Sequence, residues 1–284
     1  MRLVCLFFLT FIICNSAKAL DDVEHILSIA DTDIQYEVEG HHDTTEIICH
    51  MVGCSDEQAI RISYFSQAPD DLWVRFSAPS VAIWGFFYPL YRQRIMTVLH
   101  SLHGGSNSKV LTRRLDLIGL IKSYDLKDCE NHWKVGFLIH ALGDSYAHAY
   151  GEKGNLTSYN SLYGHLLDNC DNDRCNQPDV IIKNDNYIVF NEYLTALSMA
   201  LDRSGLSSPP IAVEQRVEEL KAEIIYKVEI EKITNDEFKE FIRTYKPWIV
   251  EEKLRNPEKR DLSADLTISN VDTFLKEIET KFTD

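Results

Sequence analysis

The chain has 284 residues, carries 44 acidic against 29 basic side chains, and has a formal net charge of −15. A field of that sign repels nucleic acid and anionic membrane at long range and argues against a nucleic-acid coat. The length suffices for one large domain, or for a domain with a C-terminal annex.

The N-terminus reads as a secretory signal peptide over residues 1–19: Arg2 supplies the positive start, Leu3 to Cys14 the apolar stretch, and Ala17-Lys18-Ala19 a small-x-small cleavage site. The apolar stretch is too short to span a bilayer, and no later run is long enough to replace it. The expected location is therefore secreted or periplasmic, with Cys14 in the discarded segment. Cleavage leaves 265 residues with 27 basic and 44 acidic side chains, a charge of −17. It also leaves five cysteines, an odd number that keeps at least one thiol free or paired between chains in an oxidising compartment. Cys170 and Cys175 flank the polar loop Asp171-Asn172-Asp173-Arg174, which a disulfide would close. Neither close pair has the spacing of a zinc knuckle.

Apolar residues recur at helical spacing along the rest of the chain, so the expected fold class is all-α. Ser55 with Gln58 forms a capping box that opens a helix through Ala59, Ile60, Ile62 and Phe65. Residues 81–99 are aromatic-rich and expected as buried helix. Val110 to Ile121 and Trp133 to Tyr150 follow as helices, the second stopped by Gly151, and Tyr187 to Leu201 forms another. Ser204-Gly205-Leu206-Ser207-Ser208-Pro209-Pro210 is the strongest punctuation in the sequence. It is expected to separate a helical domain over residues 20–205, the candidate for any metal-binding or catalytic chemistry, from a charged helical annex over 211–284. In the annex, Val213, Val217, Leu220, Ile224 and Val228 mark one amphipathic helix. Thr234 with Glu237 caps a second, and Ser269 with Asp272 opens a third. All ten histidines fall between His25 and His165, and the last 119 residues contain none, so chemistry belongs upstream of the punctuation.

The most specific local pattern is His140-Ala-Leu-Gly-Asp144-Ser-Tyr-Ala-His148. Residues four apart are offset by about 40° around a helix, so the two imidazoles and the carboxylate share one side. That set suits zinc or a similar divalent ion. A buried helix with hydrogen-bonded histidines would look the same. Gly40-His41-His42, Asp70-Asp71, His100-Ser-Leu-His103 and Gly164-His165 lie near expected helix ends, as in bundles that assemble a metal centre from several helices.

In this order of ligand-type residues, and in Gly40-His41-His42-Asp43-Thr44, Pro69-Asp70-Asp71 and His140-Ala-Leu-Gly-Asp144, the chain resembles the zinc-dependent phospholipase C and P1/S1 nuclease superfamily, in a divergent bacterial branch. The resemblance covers roughly residues 36–180 and none of the annex. It implies a multi-helix bundle of that type and a secreted phosphodiesterase with two or three zinc ions, acting on a lipid head group or a nucleotide. Carried over position by position, the metal ligands are His42, Asp71, His103, His140, Asp144, His148, His165 and Asp168. His41, Asp70 and His100 are the neighbours that could displace one of them, and Asp179 is the alternative to Asp168. Asp71, or Asp70, would orient the attacking water. Trp73, Trp84 and Tyr146 are candidate pocket walls.

Two other readings remain. His42-Asp43 is an HD dipeptide of the kind found in HD-domain phosphohydrolases, with only His25 available upstream. The other is a non-catalytic secreted helical protein that binds a metal or a partner, with the annex as partner surface.

Overall fold

In the computed structural model the helical spacing becomes nine α-helices among the described residues, which are 39–70, 76–77, 81, 88–161, 178–204, 211–245 and 266–283. The signal-peptide segment, the Cys170 and Cys175 pair, and residues 205–210 lie outside them. Helix α1 (Thr44–Met51) follows a wide π-type turn at Glu39–Asp43. Helix α2 (Asp56–Gln67) opens on Ser55, whose hydroxyl accepts the Gln58 amide N–H while the Gln58 side chain accepts the Ser55 N–H, and it tightens into a 3₁₀ turn at Ala68–Asp70. Helix α3 (Pro89–Arg94) runs into a second π-type turn, Ile95–Leu99, which is buried where α3 itself is not.

Helices α4 (Asn107–Ser123) and α5 (His132–Ala147) come next. Helix α5 stops at Ala147, earlier than its apolar pattern implies. His148 ends it, and Ala149–Tyr150 (β1) pairs antiparallel with Thr157–Ser158 (β2). Gly151 serves this hairpin rather than the helix end: its φ is +107°, and a Cβ there would meet the Asn155 carbonyl oxygen at 2.6 Å. Helix α6 (Asn186–Leu201) completes the upstream set.

Beyond residue 210 lie α7 (Ile211–Ile225) with a π-type extension at Tyr226–Glu231, α8 (Asn235–Thr244) and α9 (Ile268–Glu279). Thr234 and Glu237 form the expected capping box on α8. Helix α9 is capped by Thr267, which accepts the Asn270 N–H, two residues before the expected Ser269. The Thr267 hydroxyl reaches that amide first, and the helix has already begun by Ser269.

Helix α5 is the central element, packed by α2, α4 and α6. Gly136 lets α2 approach, since a Cβ there would lie 2.4 Å from the Phe65 Cβ. One continuous core joins Ile47, Ile62, Phe137, Leu142, Phe190 and Tyr193 to Val217, Leu220, Phe238, Ile242 and Phe274. Each such side chain contributes roughly 1.5–3 kcal/mol by leaving water. The helices read as an annex thus bury their apolar stripes in the same core, within one compact unit, Tyr36–Asp284. Arg94 of α3 binds Asp272 and Glu279 of α9, and the Arg113 guanidinium lies 3.5 Å from the Phe282 ring centre. Among the described residues no helix is long and apolar enough to cross a membrane.

Candidate metal centre

Seven histidine and aspartate side chains are buried around the last turns of α5: His41, Asp70, His100, His140, Asp144, His148 and Asp179. Helix α5 contributes His140 and Asp144 on one side, with His148 at its end. The π-type turn before α1 brings in His41, the 3₁₀ turn after α2 brings Asp70, and the residue closing the second π-type turn is His100. Asp179 comes from the turn that precedes α6.

Asp144 is the hub. Its Oδ1 lies 3.1 Å from His41 Nε2, and its Oδ2 lies 3.0 Å from His100 Nδ1, 3.2 Å from His140 Nε2 and 3.6 Å from His148 Nδ1. Asp70 faces the same space, at 3.7 Å from His41 Nε2, 3.7 Å from His140 Nε2 and 3.9 Å from His100 Nδ1.

Backbone carbonyls orient two of the rings, because a carbonyl can only accept. His140 Nδ1–H donates to the Ser66 carbonyl at 3.0 Å, which turns Nε2 toward the cluster. His148 Nδ1–H donates to the His100 carbonyl at 3.0 Å, and its Nε2 lies 3.3 Å from Asp179. His100 Nδ1 lies within hydrogen-bond distance of both Asp144 and His140 Nε2, and its buried Nε2 has no hydrogen-bond partner among the described residues. A ring N–H fixed on a carbonyl while the other nitrogen points inward is how metal-binding imidazoles are oriented.

Charge is distributed unevenly through the cluster. Burial opposes ionisation of Asp144, but His140, His148 and the hydrogen bond from His100 outweigh it and hold the carboxyl well below its usual range. Burial likewise disfavours a charged His148, yet Asp144 and then Asp179 raise it to about 10. Burial drives His100 down to about 4. Asp70 is raised to about 7, chiefly by burial and also by Asp144 and Asp179, with His140 and His148 opposing.

Two overlapping sets, His41 with His140 and Asp144, and Asp70 with His100 and His140, each keep their ligand atoms within 4.8 Å of one another and could hold a metal ion, both drawing on His140. Two ligands at about 2.0–2.1 Å from a tetrahedral zinc lie roughly 3.4 Å apart. The contacts in the cluster span 3.0 to 3.9 Å. The donor set therefore fits a divalent ion without large rearrangement. A further group, His42 with Asp43 and Glu46, sits beside the start of α1.

Of the residues expected as ligands, His140, Asp144 and His148 stand in the cluster. His42 does not: its Nδ1 contacts Asp43 at 3.1 Å, and His41 takes the place in the centre. His103 is also elsewhere, half-buried and accepting the Gly105 N–H, and His100 stands in the cluster instead. Asp71, His165 and Asp168 lie outside the described residues, as do Trp73 and Trp84, while Asp70 and Asp179 are present.

Three further residues support the centre. Ser66 donates its hydroxyl to the His41 carbonyl and offers its own carbonyl to His140, so it aligns two rings. Gly143 leaves room for His41, whose Cε1 would be 2.8 Å from a Cβ. Ser101, with φ of 52°, donates to the Ala141 carbonyl and fixes the backbone that carries His100. The legible hint was Gly143 itself, a costly residue inside a helix.

A cavity of about 660 Å³ lies beside the end of α5, lined by Arg114, Tyr146, Tyr150, Tyr159 and Glu192. Ala147, Ala149 and Pro178, the chain neighbours of His148 and Asp179, form its nearer wall. No protein-family model, curated protein or solved structure matches this chain.

Proposed function

We propose that this chain is a secreted or periplasmic metal-dependent hydrolase of phosphate esters, a phospholipase C-like or nuclease-like phosphodiesterase holding two or three zinc ions. The observation that carries the reading is the convergence of four histidines and three aspartates, from segments far apart in sequence, on one buried point. Burying so many ionisable groups costs several kcal/mol per charge unless they are paired or bind a metal. The resemblance to the phospholipase C and P1/S1 nuclease superfamily supports the same reading.

His41, His100, His140, His148, Asp144, Asp70 and Asp179 would hold the ions. When bound, zinc supplies Lewis acidity to a phosphoryl oxygen and makes water acidic enough to ionise near pH 7. The protein's own contribution is positional. Ser66 and the His100 carbonyl fix imidazole orientation, and the apolar wall of α5 excludes bulk water. Asp70 is the most exposed of the centre's carboxylates, at 7% against 1% for Asp144 and Asp179. It is therefore the carboxylate placed to orient attacking water. The cavity beside His148 and Asp179 offers room for the ester.

The test is metal analysis of gently purified protein together with hydrolysis of a chromogenic phosphodiester. Wild type should carry at least two zinc ions per chain. His100→Ala and Asp144→Ala should lose metal and hydrolysis, whereas His103→Ala should keep both. A folded wild-type protein that takes up no divalent metal, or that hydrolyses no phosphate ester once loaded, refutes the proposal.

A further inference from the structure

Helix α1 ends in a Schellman turn. The Cys54 N–H donates to the Cys49 carbonyl at 2.9 Å and the Gly53 N–H to the His50 carbonyl at 3.1 Å, with Gly53 at φ +93°. In this motif the residue two beyond the helix cap meets the side chain three residues inside it, usually through an apolar contact. Here both positions are cysteine. Cys49 is fully buried and Cys54 is partly exposed, and their thiols hydrogen-bond to each other. We propose that Cys49 and Cys54 are a dithiol site that closes to a reversible disulfide by exchange with a small-molecule disulfide.

The surroundings divide the roles. Arg203, anchored by donating to the Ile121 carbonyl at 2.8 Å, places its charge near both sulfurs. The Cys54 thiol is lowered from its ordinary value, first by the hydrogen bond from Cys49 and also by Arg203. The Cys49 thiol is raised by its hydrogen bond to Cys54, by burial and by Cys54 and Glu46 nearby. Cys54 is thus both the accessible sulfur and the better nucleophile. Its thiolate attacks one sulfur of the external disulfide, forming a mixed disulfide and expelling a thiolate. Cys49 then attacks the Cys54 sulfur and gives its proton to the departing thiolate, so the mixed bond breaks as the internal one forms. Two protein thiols are oxidised, and one external disulfide is reduced to two thiols. Cys129, exposed in the turn before α5, has no such neighbour among the described cysteines and should stop at the mixed disulfide.

This inference stands apart from the metal centre, and its test needs no activity. The folded full chain is treated with oxidised glutathione, denatured, alkylated and cleaved with cyanogen bromide, which cuts after Met51 between the two cysteines. The expected result is complete loss of alkylation at Cys49 and Cys54, with the two fragments held together until reduced. Cys49→Ala should convert Cys54 to a stable glutathione adduct, and Cys54→Ser should leave Cys49 alkylated. If wild-type Cys54 persists as the glutathione adduct while Cys49 alkylates, or if both alkylate fully, the proposal is wrong. The wild-type arm decides the matter even if a variant misfolds.

Discussion

Replacing Asp144 by Asn keeps the shape of the side chain and removes the charge that four histidines surround. In metal-free protein, deleting one member of a buried ion pair costs about 3–5 kcal/mol, because the partner's charge is left uncompensated. An independent route gives a similar size: a histidine whose pKa rises from 6.5 to about 10 carries on the order of 4–5 kcal/mol, at ~1.4 kcal/mol per pH unit. Part of that belongs to Asp179. The pH dependence sharpens the prediction. The folded pKa of His148 lies above its unfolded value, so its contribution is fully present below pH 6.5 and is lost as pH rises through about 10. The Asp144 pKa is depressed, so its contribution is present above the ordinary carboxyl range and is lost only as pH falls through that depressed value. Denaturant unfolding of chelator-treated wild type and Asp144→Asn should therefore differ most between about pH 5 and 6.5 and converge towards pH 10. A difference that stays flat or widens from pH 6.5 to 10 would refute the assignment of Asp144 as the counterion of His148.

Metal uptake should release protons near pH 7, since His148 and part of Asp70 are protonated there without it and must lose those protons to bind. Calorimetry in buffers of different ionisation enthalpy measures this, and affinity should fall about tenfold for each unit the pH is lowered, per proton released. Buffer-independent heats would count against it. Gly143→Ala should displace His41, costing about 1–3 kcal/mol and lowering metal stoichiometry. By contrast Gly119→Ala in α4, where a Cβ meets nothing within 4 Å, should stabilise by roughly 0.5–1 kcal/mol; equal effects of the two in thermal melts would argue against close packing at Gly143. Ser55→Ala, which removes a side-chain acceptor at the start of α2, should cost about 1 kcal/mol in denaturant unfolding without changing metal content.

The three groups at the end of α5 were legible because regular α-helical spacing converts a sequence interval directly into a direction in space. The same regularity revealed the capping boxes at Ser55 and Thr234. Where the backbone departs from that pitch, the choice between adjacent candidates was not legible. His41 lies in a π-type turn, His100 closes another, and Asp70 ends a 3₁₀ turn. A shift of one residue along a helix rotates a side chain by about 100°, which is the difference between His41 in the centre and His42 beside Asp43. The early end of α5 had a similar cause. His148 hands the chain to a two-residue strand whose partner lies nine residues downstream, and no local pattern encodes that pairing. The linker before residue 211 was clear as punctuation, but an amphipathic stripe does not say whose core it joins.

The distribution of the centre's groups along the chain also bears on where an ion could be held. His41 and Asp179 are separated by most of the upstream fold, and only the His140, Asp144 and His148 cluster is local. Closing so long a loop carries an entropic cost that grows with its length, so the unfolded chain offers an ion little beyond the short segment at the end of α5. The complete donor set exists only in the folded chain, where the proton on His148 offsets part of the buried negative charge. That proton stands where a cation would: it keeps the pocket electrically tolerable, and a bound ion would displace it.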